Sequence, residues 1–152
     1  RDEYEVAAQH LAVLMSNPAS SSHDRAGAEV LLGLVYEHQR DFASAAAAFE
    51  RARASSELAG IDAWLKIKQA RALLGAKESK AALELLADFV ASEASLGSTD
   101  AAVAARSNWK AWRAEAWLIV GDARSRSSDP KGAIAAYEAH VEASKSGKSG
   151  SS

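Results

Sequence analysis

The sequence predicts an all-α protein made of antiparallel helix pairs. Hydrophobic residues form 48% of the chain, and many of them are alanine, which favours helices and close packing between helices. Apolar residues recur at the spacing of helical turns along most of the chain. Small residues also return where the second helix of each pair would touch its neighbour, at Ala7, Ala45, Ala82 and Ala133.

The clearest pair of helices places Leu32, Gly33 and Tyr36 on one helix and Ala45 and Phe49 on the next. Gly33 and Ala45 are small enough to let two helix backbones approach closely. The larger side chains then fill the space around the crossing point. This spacing predicts two short helices that contact each other through small residues.

The pattern L-G-x-x-Y followed by A-x-x-x-F resembles the tetratricopeptide repeat. Two positions depart from the family pattern, since Glu29 stands where Trp is usual and Glu57 where the closing Pro is usual. The resemblance implies a right-handed α-solenoid of about seven helices in antiparallel pairs. It also implies a non-catalytic scaffold for protein–protein interaction rather than an enzyme.

The solenoid is expected to occupy residues 1–143 as a single domain and to begin with a half repeat over residues 1–18. Tyr4, Ala7, Leu11 and Leu14 match the second helix of a repeat and lie on one amphipathic face. The alternative interpretation of this segment is a simple N-terminal capping helix.

The first full repeat covers about 26–59, with helices from about 25 to 39 and from about 42 to 57. Ser22 or Asp24 is expected to cap its first helix, because a side-chain oxygen there accepts from free backbone N–H groups. Gly60 is expected to end the second helix in a left-handed conformation, and Asp62 to cap the next helix.

The second repeat, residues 63–96, is a weaker match. Aligning Ala82 with Ala45 places three residues, Ala70, Leu73 and Leu86, at the positions of Gly33, Tyr36 and Phe49. Gly75 is expected to mark the turn between its two helices, and Gly97 to end the second one.

The third repeat, residues 114–143, is clear again. Gly121 is followed by Asp129 and Pro130, an N-cap and a first helical residue, and then by Ala133 and Tyr137. The extra residues 97–113 are interpreted as a helical insertion. The first helix of this repeat is therefore expected to be unusually long, from about 100 to 126.

The resemblance implies a concave groove lined by the first helix of each repeat. In this chain the lining residues are Val30, Leu34, His38, Trp64, Ile67, Arg71, Leu118, Asp122 and Arg126. Val30 and Leu34 would make the groove apolar, which suits the apolar face of a helix or an extended segment of another protein. The alternative is a structural or self-associating solenoid, in which a second copy or a neighbouring helix fills the groove.

A cluster of aromatic and basic residues forms a secondary candidate patch. It consists of Arg106, Trp109, Lys110, Trp112 and Arg113. Trp109 and Trp112 share a helix face, and two interpretations stay open. They either pack in the core beside the second repeat, or they form an exposed patch that recruits a partner.

Neither the composition of the chain nor its short motifs favour an enzyme, a metal-binding protein or a nucleic-acid-binding protein. The chain has no Cys and a net charge of −2, and its four His show no spacing of helical metal ligands. Ser107 and Lys110 match a short hydrolase motif without its companion motifs. We expect no catalytic site, no metal or other cofactor, no nucleic-acid partner and no direct membrane insertion.

The two ends of the chain are less informative. No signal peptide is visible and the chain opens at Arg1, so we interpret it as a segment of a longer protein and leave its localisation open. Residues 144–152 contain almost only Ser, Gly and Lys, which cannot bury enough apolar surface to fold. They are expected to form a flexible tail.

Overall fold

A computed structural model describes residues 2–93 and 107–145, and helices account for nearly all of these two ranges. The α-helices are α1 (Asp2–Ser16), α2 (Ser22–His38), α3 (Phe42–Arg53), α4 (Asp62–Gly75), α5 (Ser79–Leu85), α6 (Ala87–Ala91), α7 (Ser107–Arg126) and α8 (Pro130–Lys145). A 3-10 helix, Ser56–Ile61, precedes α4. No strand occurs in the described ranges, so the predicted all-α class is confirmed.

The chain divides into two compact units, Arg1–Ala76 and Lys77–Ser152. In the first unit each helix packs on the next one, from α1 through α4. Four alanines on α3 are buried, and their short side chains let both neighbouring helices approach α3 closely. The core there contains Phe49 and Leu65, each with no exposed surface.

The second unit is built around the pairing of α7 with α8, and α5 packs on α7. Its fully buried side chains include Phe89 and Val120, while Ala116 and Ala136 fill the space between the helices. Leu86 interrupts the helix between α5 and α6 with φ −97° and ψ 8°. The backbone bonds continue across this break, since Val90 N–H donates to the Leu86 carbonyl at 3.0 Å.

Three turns between helices share one backbone feature. Each contains a non-glycine residue with positive φ, and these residues are Arg40, Lys77 and Ser128. In the first turn Asp41 N–H donates to the Tyr36 carbonyl at 2.9 Å. In the third turn Asp129 N–H donates to the Arg124 carbonyl, also at 2.9 Å. This bonding is that of a Schellman motif, which satisfies carbonyls at the end of a helix and reverses the chain.

The three turns recur in step with three buried alanines. Ala45, Ala82 and Ala133 each follow a left-handed residue by the same number of positions, and at most 4% of each alanine is exposed. The turn and the small contact residue thus repeat together along the chain.

Two glycines lie directly beneath aromatic rings at equivalent places in the two units. A Cβ atom on Gly33 would lie 2.6 Å from Phe49 Cε1, and one on Gly121 would lie 2.5 Å from Tyr137 Cε1. The sequence interval between glycine and ring is the same in both cases. These rings therefore occupy space that any other residue would need for its side chain.

Several predicted helix caps are wrong in detail. Ser21, rather than Ser22 or Asp24, caps α2 by accepting from Asp24 N–H at 3.1 Å. Asp62 does not cap α4, because its carboxylate accepts instead from Arg53 Nε at 3.1 Å. Gly60 does not end α3, because α3 already ends at Arg53. Gly60 lies instead inside the 3-10 helix that follows, and its φ is not left-handed.

The role predicted for Gly75 is also corrected. Gly75 is the last residue of α4, and Lys77 takes the left-handed conformation of the turn. A Cβ on Gly75 would lie 2.6 Å from Phe42 Cγ, so close packing requires glycine there. By contrast, Asp129 caps α8 as predicted and accepts from Gly132 N–H at 2.9 Å.

The predicted long helix corresponds to α7, which has 20 residues and ends at Arg126 as expected. The start predicted near residue 100, the end of a helix at Gly97 and most of the insertion 97–113 lie outside the described residues. So does the tail from residue 146, whereas residues 144 and 145 belong to α8. The predicted second repeat, 63–96, has one helix in each unit, so its pairing stays a prediction.

We predict that Gly33→Ala destabilises the protein relative to Gly27→Ala. Both glycines lie on α2, but a Cβ on Gly27 has nothing within 4 Å, whereas one on Gly33 meets the buried Phe49 ring. The gain in helix propensity is common to both variants, so their difference in unfolding free energy isolates the steric cost. We expect about 1–3 kcal/mol from urea denaturation, and equal stabilities would contradict the close contact.

Candidate functional site

The residues predicted to line the groove in the first unit are partly used for packing. Val30 and Leu34 on α2 and Trp64 on α4 are half-buried and pack against the hydrophobic core. Ile67 is only 1% exposed, which places it in the interior rather than on a surface that a partner can reach. Among these four positions, one is therefore buried and three keep part of their surface exposed.

His38 and Arg71 are the exposed members of the predicted set in this unit. The ring of His38 stacks on Tyr4 of α1, with centroids 5.3 Å apart and planes within 8°. This contact fixes the end of α2 against the start of α1.

A charged pair beside Trp64 was missed from the sequence. Lys68 Nζ lies 3.3 Å from Glu37 Oε1 and 5.6 Å from the centroid of the Trp64 ring. Both charged side chains are about four-fifths buried, at 18% and 22% exposed. Glu37 Oε2 is buried without a hydrogen-bond partner among the described residues, so it can still accept a donor.

Two more ionic contacts hold this unit together. Arg53 of α3 donates to Asp62 at 3.1 Å and to Gln69 at 2.9 Å, which ties α3 to α4. Arg51 pairs with Glu29 at 3.0 Å and ties α3 to α2. These contacts fix the orientation of the helices that carry the Lys68 pair.

In the second unit, the predicted groove residues lie on α7. Leu118 is 38% exposed and Arg126 is exposed, while Asp122 is half-buried. Asp122 Oδ1 accepts from the Tyr137 hydroxyl at 2.7 Å. This hydrogen bond to a carboxylate, with a smaller contribution from burial, raises the pKa of Tyr137 above its usual value of 10.0. Asp122 thus has a structural partner within its own unit.

The secondary patch is divided between core and surface. Trp109 is only 9% exposed, which matches the packing interpretation, whereas Trp112 is half-buried and Lys110 is exposed. Arg113 pairs with Glu93 at 3.0 Å. Arg106 lies outside the described residues.

A second aromatic contact in this unit also serves packing. The Trp117 ring lies 4.9 Å from Phe89, and its Nε1 donates to Glu93 Oε1 at 3.2 Å. Glu93 therefore binds an indole through one oxygen and Arg113 through the other. This arrangement fixes α7 relative to the segment that follows α6.

Within residues 2–93 and 107–145, no group of three or more His, Asp or Glu is placed to hold a metal ion. In the same ranges, no helix has both the length and the apolar character needed to cross a bilayer.

Comparison of the chain with models of protein families, with curated proteins and with solved structures gives no match. The resemblance to the tetratricopeptide repeat therefore rests on the pattern of residues and stays a prediction.

We predict that Tyr137→Phe lowers the urea midpoint at pH 7, because Asp122 loses the hydroxyl that it accepts from. Since the pKa of Tyr137 is raised on folding, this stabilisation is complete below about pH 10 and declines as the pH rises further. The difference between wild type and variant should therefore narrow as the pH rises above about 10, the pKa of a free tyrosine.

Tyr36→Phe is the matched control, because no hydrogen bond to the Tyr36 hydroxyl occurs among the described residues. At pH 7 it should lower the urea midpoint less than Tyr137→Phe does. A Tyr137→Phe effect that is absent at pH 7, or constant up to pH 11, would contradict this account of the Asp122 bond.

Proposed function

We propose that the chain is a non-catalytic scaffold of the tetratricopeptide-repeat type, a right-handed solenoid that binds a segment of another protein. The observation that carries this proposal is the recurrence of one packing unit along the chain. A left-handed turn, a buried alanine and an aromatic ring over glycine return in the same order in two places.

The recurring unit supports the repeat assignment because each of its parts has a role in packing two helices together. The tight turn reverses the chain between two helices. The alanine and glycine then allow the helices to touch, and the ring fills the gap beside them. A sequence that repeats all of these parts is suited to stacking similar units, which builds extended binding surfaces.

The surface between α2 and α4 is the proposed contact region in the first unit. Its polar centre is the pair of Glu37 and Lys68 beside Trp64, with His38 and Arg71 at its exposed edge. Arg and Trp side chains are favoured anchors at protein interfaces. We therefore propose a partner segment that carries polar groups as well as apolar side chains, instead of a purely apolar one.

A second candidate function is self-association, and exposed apolar side chains on α1 favour it. Val13 is 67% exposed, Val6 is 48% exposed and Leu14 is 37% exposed. Apolar side chains of this size on one helix are suited to contact with another copy. Light scattering after size exclusion separates the two functions, because self-association gives a mass that rises with protein concentration.

Site-specific cross-linking tests the proposed contact region. The chain has no Cys, so a single introduced Cys carries one benzophenone label. Labels at His38→Cys and at Arg71→Cys should cross-link the same protein from a cell extract, because both lie at the edge of one surface. An excess of unlabelled wild-type protein should abolish this cross-link.

Glu50→Cys is the control, since Glu50 is exposed on α3 and lies outside the predicted set. It should capture the shared partner at a much lower yield. Equal capture from all three positions, or different proteins from His38 and Arg71, would contradict the proposed region.

A further inference from the structure

A hollow with one apolar and one polar wall lies between the α5 and α6 helices and the turn that joins α7 to α8. The apolar wall comes from α5 and α6 and consists of Leu83, Ala87 and Val90. The polar wall comes from the end of α7 and the turn, and it consists of Arg124, Ser127 and Asp129. The hollow has a volume of about 380 Å³, and its lining belongs to the second unit alone. Pockets for small molecules start at roughly 300 Å³, so a small ligand fits this space.

Both charged side chains of the polar wall are held by the backbone of Gly132. Arg124 Nη1 donates to the Gly132 carbonyl at 3.0 Å, and Asp129 Oδ1 accepts from Gly132 N–H at 2.9 Å. A Cβ atom on Gly132 would collide with Asp129 Oδ2 and would lie 3.0 Å from Arg124 Cδ. Glycine therefore lets a positive and a negative side chain converge on one residue.

These contacts leave both charged groups able to bind a ligand. A guanidinium carries donors on all of its nitrogens, and a carboxylate has a second oxygen that accepts. Within residues 2–93 and 107–145, Arg124 and Asp129 make no ion pair with each other or with another side chain. The polar wall can thus bind one negative and one positive group at the same time.

Packing of the helices does not require this arrangement. At the same interval before the buried alanine that follows each turn, Tyr36 and Leu73 stand where Arg124 stands in the third turn. Ser44 likewise takes the place of Gly132 in the first turn. Arg124 is therefore particular to the third turn, although all three turns contain a residue with positive φ.

The charged residues next to the lining are of both signs. Those within two positions of a lining residue are the acidic Glu84, Asp88 and Asp122 and the basic Arg126 and Lys131. Asp122 accepts from the Tyr137 hydroxyl, and the other four are exposed. Neither sign dominates, so a ligand with a single charge meets attraction from one side chain of the polar wall and repulsion from the other.

We propose that this hollow binds a free aliphatic α-amino acid such as leucine. The Arg124 guanidinium binds the carboxylate, and the Ser127 hydroxyl is a further donor. Asp129 Oδ2 accepts from the ammonium group, and the aliphatic side chain contacts the apolar wall. A zwitterion satisfies both charges of the polar wall at once. The hollow is distinct from the α2 and α4 contact region, so the inference does not rest on the proposed function.

An NMR titration of the intact protein with four ligands tests the proposal. Leucine should give saturable shifts of the backbone signals of Val90 and Ser127, which lie on opposite walls. N-acetyl-leucine lacks the ammonium group, leucine amide lacks the carboxylate, and alanine lacks the aliphatic side chain. Each of these three should bind at least about tenfold more weakly than leucine.

Two variants locate the binding of leucine. Arg124→Gln removes the positive charge of the polar wall. Asp129→Asn removes the negative charge and keeps a residue that caps a helix well. Each should weaken leucine binding at least about tenfold. Lys131→Gln is the control, because Lys131 is exposed beside the hollow without lining it, and its loss should leave the affinity unchanged.

The proposal is overturned if leucine gives no saturable shifts, or if both variants bind leucine as the wild type does. It is also overturned if N-acetyl-leucine or leucine amide binds as tightly as leucine, because the hollow would then take a singly charged group such as a peptide terminus. Circular dichroism checks that the variants keep their helices. If Arg124→Gln does not fold, Asp129→Asn and the ligand series still decide the outcome.

Discussion

The fold depends on aromatic rings that lie in the space left by glycine. Phe49 covers Gly33, and Tyr137 covers Gly121, at distances that leave no room for a Cβ atom. Helix pairs are thereby brought close enough for small residues such as Ala45 to be completely buried. The chain gains tight packing from many small side chains, and its shortage of large aliphatic residues is offset by this close approach.

This close packing of small side chains also explains where the candidate binding surfaces lie. Helices whose small residues face each other leave their larger polar and apolar side chains on the outer faces. Ile134 and Val141 are left on the outer face of α8 in this way. Packing of the scaffold and display of side chains are thus two results of one arrangement.

The sequence predicts the contacts that depend on neighbouring turns and not those that depend on the rotation of a helix. Gly33 and Asp129 are recognised because glycine at a crossing and aspartate before proline have local causes. The burial of Ile67 and the pairing of Glu37 with Lys68 depend on which way separate helices face. Positions assigned from a family register carry no information about that rotation in this chain, so the groove stays a prediction, whereas the all-α class is confirmed.

A double-mutant cycle between Gly33 and Phe49 tests the central claim most directly. The unfolding free energy is measured for Gly33→Ala, for Phe49→Leu, for both together and for the wild type. If the ring occupies the space above Gly33, alanine should cost at least about 1 kcal/mol less once the ring is gone. An equal cost of Gly33→Ala with and without the ring would contradict the account, because the glycine and the aromatic side chain would then be energetically independent.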